Sequence, residues 1–193
     1  MAKNILITGG IGTGKSTCAK FFTLLGVPLF NDDLVGRFLT DNNLDVKQAI
    51  VNLFDSSIYV DGMLDRKRVA SIVFNDKKIL SDLTSIIHPA VQRSYLEWSI
   101  QNQDAHYTLR ESALANNDSK LFDAVIVVDA PLELRVERVV KRDNCSSDEV
   151  IRRINSQITQ ESRLEMANFI VLCDDRQLVI PQILNINNSL LNQ

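Results

Sequence analysis

Lys15 and Ser16 stand directly behind a run of glycines, Gly9-Gly10-Ile11-Gly12-Thr13-Gly14, in the spacing G-x-x-x-x-G-K-S. That combination does one kind of chemistry well. Glycines let the backbone take positive φ and approach an anion with no Cβ in the way. Successive amides of Gly10, Ile11, Gly12, Thr13, Gly14, Lys15, Ser16 and Thr17 can then point at phosphate oxygens, reinforced by the start of a helix. Lys15 suits the β- and γ-phosphates, and the Ser16 hydroxyl suits Mg²⁺. The reading is a site for a nucleoside triphosphate with its magnesium ion. The bland reading is a glycine-rich turn that binds nothing.

Phosphoryl transfer asks little covalent chemistry of a protein. It needs in-line positioning, positive groups on the equatorial oxygens and a carboxylate to accept the hydroxyl proton. Asp33 is the candidate base, because it follows a short strand at the sheet edge where open α/β sheets bind ligands. Asp33 or Asp32 would also serve as a helix N-cap, and Asp32 is assigned that role. Glu111, near the end of another strand, suits a magnesium-bound water or is a simple strand-end charge. Arg138 and Arg142 are four apart and share a helix face, either as phosphate-stabilising arginines of a lid or as a solvated basic face. Arg37, Arg66 and His88 can bind acidic groups of an acceptor. His88, just before Pro89, equally suits a structural hydrogen bond.

These residues need a scaffold. Asn4–Thr8 reads as a buried strand, Ser16–Leu25 as a buried helix stopped by Gly26, and Val27–Phe30 as a second strand. From Leu34 to about Ile100 the apolar spacing is helical almost throughout, with a turn at Asp61-Gly62 and a restart at His88-Pro89. An insertion of that size between strands suits a substrate-binding element. His106–Ser112 reads as a third strand, Asn116–Ser119 as a polar loop, and Ala124–Asp129 as a central strand buried on both faces. A helix follows Ala130-Pro131. Ser146 and Glu149 make a capping box for a long polar helix carrying Arg152, Arg153, Gln157 and Arg163. Phe169–Cys173 is a fifth strand, and Leu178–Leu191 a final amphipathic helix.

The totals narrow the class. The 193 residues suit one domain, and 45% apolar with 23% charged content is that of a soluble globular protein. A net charge of −3 argues against general binding to nucleic acid or membrane surfaces. The three cysteines, Cys18, Cys145 and Cys173, are widely spaced and show no metal-ligand pattern. Reduced thiols in the cytoplasm are expected. The opening apolar run is too short for a signal peptide, and no stretch is long and apolar enough to span a bilayer.

Several segments together resemble the dephospho-CoA kinase family: TGGIGTGKST, GVPLFNDDLVGR, LDRKRVASIVFND, His88-Pro89-Ala90-Val91, VVDAP followed by ERVVKRD, and Gln157 with Arg163 and Ala167. The resemblance covers nearly the whole chain. It implies an α/β P-loop NTPase fold similar to adenylate kinase, with a five-stranded parallel sheet, a helical acceptor-binding subdomain and a lid. Mapped here, the core is 1–31, 105–131 and 168–193, the helical subdomain 32–104 and the lid 132–167. It further implies transfer of the ATP γ-phosphate to the 3′-hydroxyl of dephospho-CoA with Mg²⁺, with Asp33 as base and Arg138 and Arg142 on lid positions. The chain departs from the family at four places. The family usually has Asp where Asn31 and Asn168 stand, Asn where Cys173 stands, and an apolar run ending in Phe-Glu where Leu114 leads into Ala115-Asn116-Asn117. A kinase of another nucleotide-like hydroxyl acceptor, or a nucleotide-binding relative without turnover, are the alternatives. The oligomeric state stays open.

Overall fold

The computed structural model describes residues 2–74, 76–113 and 121–192. It divides into two compact units, Met1–Phe30 with Asn102–Gln193, and Asn31–Gln101. The segment 132–167 belongs to the first.

The first unit is built on a five-stranded parallel sheet in the order β2-β5-β1-β6-β7. Its strands are β1 (Lys3–Thr8), β2 (Leu29–Asn31), β5 (Tyr107–Glu111), β6 (Ala124–Asp129) and β7 (Phe169–Leu172). β1 is central, pairing in parallel with β5 (Ile5 opposite Leu109) and with β6 (Ile7 opposite Ile126). Strand periodicity explains the continuous apolar runs. Ile5, Ile7, Ala124, Ile126 and Val128 point to one face, where Cys18, Ala19, Phe22, Ile183, Ile186 and Leu190 cover them. Leu6, Val125 and Val127 point to the other, under Phe122, Leu164 and Ala167. Phe22 has no exposed surface, so its truncation to alanine costs about 3–5 kcal/mol.

The covering helices of the first face are α1 (Lys15–Leu24) and α9 (Val179–Leu191). α1 ends as Gly26 predicts. That glycine takes φ 84 while Gly26 N–H and Val27 N–H return to the carbonyls of Thr23 and Phe22. Cys18 of α1 and Cys173, just past β7, are both buried with sulfurs 3.6 Å apart. Hydrogen bonding to Cys173, together with burial, pushes the Cys18 thiol far up. After β6 come α6 (Leu132–Asp143), α7 (Ser147–Asn155) and α8 (Gln160–Glu165). The capping box of Ser146 and Glu149 is present at α7. The single long helix expected there is two. The chain leaves α7 at Ser156, and the Thr159 side chain caps α8 by accepting from Ser162 N–H.

The second unit holds α2 (Asp32–Asn42), α3 (Leu44–Phe54), the hairpin strands β3 (Tyr59–Val60) and β4 (Met63–Leu64), α4 (Arg66–Val73) and α5 (Lys77–Gln101). It is helical almost throughout, and the turn expected at Asp61-Gly62 closes a short antiparallel hairpin. Two expectations are corrected. The cap of α2 is Asn31, whose side chain accepts from Leu34 N–H, and Asp32 and Asp33 lie in the first turn instead. Pro89 does not restart a helix, since α5 runs through it without a break. Pro89 is exposed, while Leu83, Ala90, Val91 and Tyr95 on either side of it are buried. Packing on both sides of the proline outweighs one lost helical hydrogen bond.

Candidate active site

β1 delivers the chain to the loop, and the loop's geometry follows from its glycines. Gly12 and Gly14 take φ 82 and 95, the left-handed region that L side chains rarely adopt. Thr13 is fully buried and closes the turn on itself, its hydroxyl and its amide both donating to Gly10 O, at 2.9 and 3.3 Å. Gly14 then stands as the N-cap of α1 without a side-chain cap. The positive end of that helix is directed at whatever fills the loop.

Lys15, Ser16 and Glu111 come together. Ser16 Oγ donates to Glu111 Oε1 at 2.5 Å, and Lys15 Nζ is 3.9 Å from the same oxygen. Glu111 closes β5, beside β1, and is 4% exposed. A buried carboxylate against an ammonium and a hydroxyl is a charge-compensated cluster of oxygen donors. Glu111 thus stands beside Ser16 at the end of β5.

The loop is braced from behind by Arg135, which the sequence reading does not single out, and by Gln157, named there only on the polar helix and in the resemblance. Ile11 N–H donates to Gln157 Oε1 at 3.0 Å. Arg135, 5% exposed on α6, donates from Nε to Ile11 O at 3.0 Å. Burial lowers the proton affinity of Arg135, while Asp129 and Glu161 pull it back up. Arg163 is buried too, its Nη1 donating to Ile158 O at 2.7 Å and its Nη2 to Ala113 O at 3.2 Å. Arg163 Nε and Gln160 Oε1 are buried without a hydrogen-bond partner among the described residues. A signal for Arg135 was available. It lies three and seven residues before Arg138 and Arg142, hence on one helical face with them.

The two arginines read as a pair diverge. Arg138 Nη2 donates to Cys173 O at 2.8 Å and to Asp175 Oδ1 at 2.6 Å, and its Nη1 approaches Gly12 O at 3.5 Å. Arg142 is 62% exposed and forked onto Asp143, at 2.7 and 3.1 Å. Asn168, one of the departures, brackets β6: its Oδ1 accepts from Val125 N–H at 2.8 Å and its own N–H donates to Val125 O at 2.9 Å. An aspartate offers the same acceptor there. Asn117, and Asn75 of the LDRKRVASIVFND segment, lie outside the described residues.

In the second unit Asp33 is exposed in the first turn of α2. Arg37 is exposed one turn further along the same helix, and His88 is exposed on α5. Arg66 is part of a network. Its Nη2 pairs with Asp41 Oδ2 at 2.5 Å and also donates to Arg37 O at 3.2 Å. Burial pushes the Asp41 carboxyl up, but hydrogen bonds from Arg66 and Leu64 N–H outweigh it and hold the group below its usual range.

A family model described as dephospho-CoA kinase matches residues 4–178. The chain belongs to the dephospho-CoA kinase family. Curated members of it from Bacteroides fragilis strain YCH46 and Legionella pneumophila strain Paris are 33% and 34% identical. Those alignments cover 96% and 89% of this chain, and 92% and 87% of the relatives. A crystal structure of a Thermus thermophilus protein superposes with a TM-score of 0.83 at 28% identity, covering 99% of this chain and 97% of that one. The Campylobacter jejuni dephospho-CoA kinase superposes at 0.72 and 25% identity, covering 100% and 98%. Shikimate kinase from Acinetobacter baumannii, 18% identical with a TM-score of 0.52, shares the fold. The phosphate loop, Glu111 and the α6 arginines thus sit in a P-loop kinase scaffold of this family, and among the described residues no helix is long and apolar enough to cross a membrane.

Proposed function

We propose that this chain transfers the γ-phosphoryl group of ATP to the 3′-hydroxyl of the dephospho-CoA ribose, giving CoA and ADP. The observation that carries the reading is the Lys15–Ser16–Glu111 cluster at the phosphate loop, in a chain of the dephospho-CoA kinase family. Ser16 Oγ and Glu111 Oε1 are the hard oxygen donors that Mg²⁺ prefers, so the residues present fit the ion. Ser16 would ligate it and Glu111 would hold one of its waters. When bound, Mg²⁺ neutralises charge on the phosphate oxygens.

The loop amides from Gly10 to Thr17 and the Lys15 ammonium hold the triphosphate. Arg138 exchanges Asp175 for oxygens of the transferring group, acting from the lid segment 132–167 with Arg142. Asp33 accepts the proton of the attacking hydroxyl. Arg37, Arg66 and His88 contribute to acceptor binding from the helical subdomain 32–104. All three cysteines are free thiols, which supports a reducing compartment, the cytoplasm.

ADP release, followed by a coupled assay, tests the reading. Turnover that depends on both ATP with Mg²⁺ and dephospho-CoA is the expected result. ATP binding with turnover only on a different hydroxyl acceptor would overturn the assigned substrate. Binding with no turnover on any hydroxyl acceptor would overturn the kinase reading.

A further inference from the structure

Arg135 is an unusual residue to bury. It is 5% exposed, and among the described residues no carboxylate lies within ion-pairing distance of its guanidinium. Keeping a cation there without a close counter-ion is costly, so its contacts carry information about what it does. Its close side-chain contacts are with the phosphate loop, while Asp129 and Glu161 act on it from further away. Nε donates to Ile11 O at 3.0 Å. A Cβ on Gly10 would stand 2.4 Å from Arg135 Nη2, and one on Gly12 would stand 2.5 Å from Arg135 O. The side chain therefore fills the space that Gly10 leaves open, and the backbone fills the space at Gly12.

Ile11 is held from the other side as well. Its N–H donates to Gln157 Oε1 at 3.0 Å, from the connection between α7 and α8. The two peptide groups flanking Ile11 are thus fixed by two side chains from different parts of the chain, one accepting from the N–H and the other donating to the C=O. A loop that must aim several amides at one triphosphate loses binding when its peptides can rotate, and a brace on both peptides removes that freedom.

We propose that Arg135 is a positioning residue of the phosphate loop, acting with Gln157 through the Ile11 backbone to hold the loop in its nucleotide-binding conformation. The proposal deepens the kinase reading and rests on the loop's binding ATP, but not on the identity of the acceptor. Its consequence is selective. Nucleotide binding suffers when the brace is lost, while acceptor binding does not.

The test is ATP·Mg²⁺ binding by calorimetry, with KM for ATP and for dephospho-CoA measured in parallel, on Arg135→Leu, Arg135→Gln, Gln157→Leu and the Arg135→Leu/Gln157→Leu double variant. Loss of one buried hydrogen bond from a charged group predicts about a tenfold weaker ATP affinity for Arg135→Leu. Arg135→Gln, which keeps a donor, recovers part of that loss. Gln157→Leu weakens ATP binding in the same direction, and the double variant loses less than the product of the single losses, because both act on one residue. KM for dephospho-CoA stays within about twofold throughout. Equal losses for both substrates, an Arg135→Gln no better than Arg135→Leu, or fully multiplicative losses would each overturn the proposal. Should Arg135→Leu fail to fold, Arg135→Gln and Gln157→Leu still decide it, since unchanged ATP affinity in both would do so too. A wild-type protein that binds ATP but leaves dephospho-CoA untouched counts against the proposed acceptor and leaves this inference standing.

Discussion

The two units handle their candidate functional residues in opposite ways. In the first, Lys15, Ser16 and Glu111 are already in contact, and the loop is pinned by Thr13, Gln157 and Arg135. In the second, Asp33, Arg37 and His88 are exposed, and Arg66 is occupied by Asp41. On the proposed nucleotide side the groups are held to one another by hydrogen bonds and an ion pair. On the proposed acceptor side Arg66 holds the Arg37 carbonyl, while the side chains of Asp33, Arg37 and His88 stand exposed. A kinase that must bind a triphosphate tightly and admit a large, flexible acceptor has reason to divide preorganisation this way.

Substitutions can break that contrast. The largest effect is expected at the preformed cluster. Lys15→Ala lowers kcat/KM about a thousandfold or more by removing a preorganised cation, and ATP affinity falls with it. Asp33→Asn lowers kcat about a hundredfold but leaves ATP affinity within about threefold, as read by calorimetry beside ADP release. An Asp33 variant that lost ATP binding as fully as the Lys15 variant would erase the distinction between the two sides.

Glycine replacements sharpen the contrast at the level of stability. Gly12 and Gly62 both have φ near +80, at 82 and 79. An alanine at Gly12 also meets Arg135 O at 2.5 Å, whereas one at Gly62 meets nothing within 4 Å. Gly62→Ala is expected to cost about 1–2 kcal/mol of conformational strain alone. Gly12→Ala costs that plus about 1–3 kcal/mol for the clash, so urea unfolding should separate the two clearly. Equal costs would mean that α6 does not press on the loop.

The smallest effect concerns Asp41, whose carboxyl is held below its usual range in the folded protein. A depressed folded pKa stabilises above the ordinary aspartate range, and that contribution disappears as pH falls through the lower, folded value. Asp41→Asn should therefore cost about 1 kcal/mol near neutral pH, with the gap from wild type closing in acid. A gap that persisted at low pH would show that Asp41 acts through packing and not through its charge.

What could be read from the sequence was local and strongly patterned. The glycine loop, the strand at Ala124–Asp129 and the capping box of Ser146 with Glu149 each rest on residues whose preferences agree with their surroundings. The misreadings came where tertiary packing decides. A proline inside an otherwise helical run suggests a break, but the apolar residues flanking Pro89 are buried together and carry α5 through it. The sequence reading assigns the cap to Asp32, but Asn31, one position earlier, carries a side chain that caps equally well and takes the role. Of three arginines on one face of α6, only the fold tells that Arg135 turns inward to the loop while Arg142 turns to Asp143.

The buried contact of Cys18 with Cys173 turns the protein into its own reporter. Cys18 follows the phosphate loop on α1 and Cys173 follows β7, so a thiol reagent reaches either sulfur only after this part of the first unit opens. Cys145, half-buried between α6 and α7, stands outside that contact as an internal control. The ratio of the two labelling rates is a clock for opening of the loop's supporting helix. Nucleotide should slow Cys18 and Cys173 and leave Cys145 to react at its usual pace.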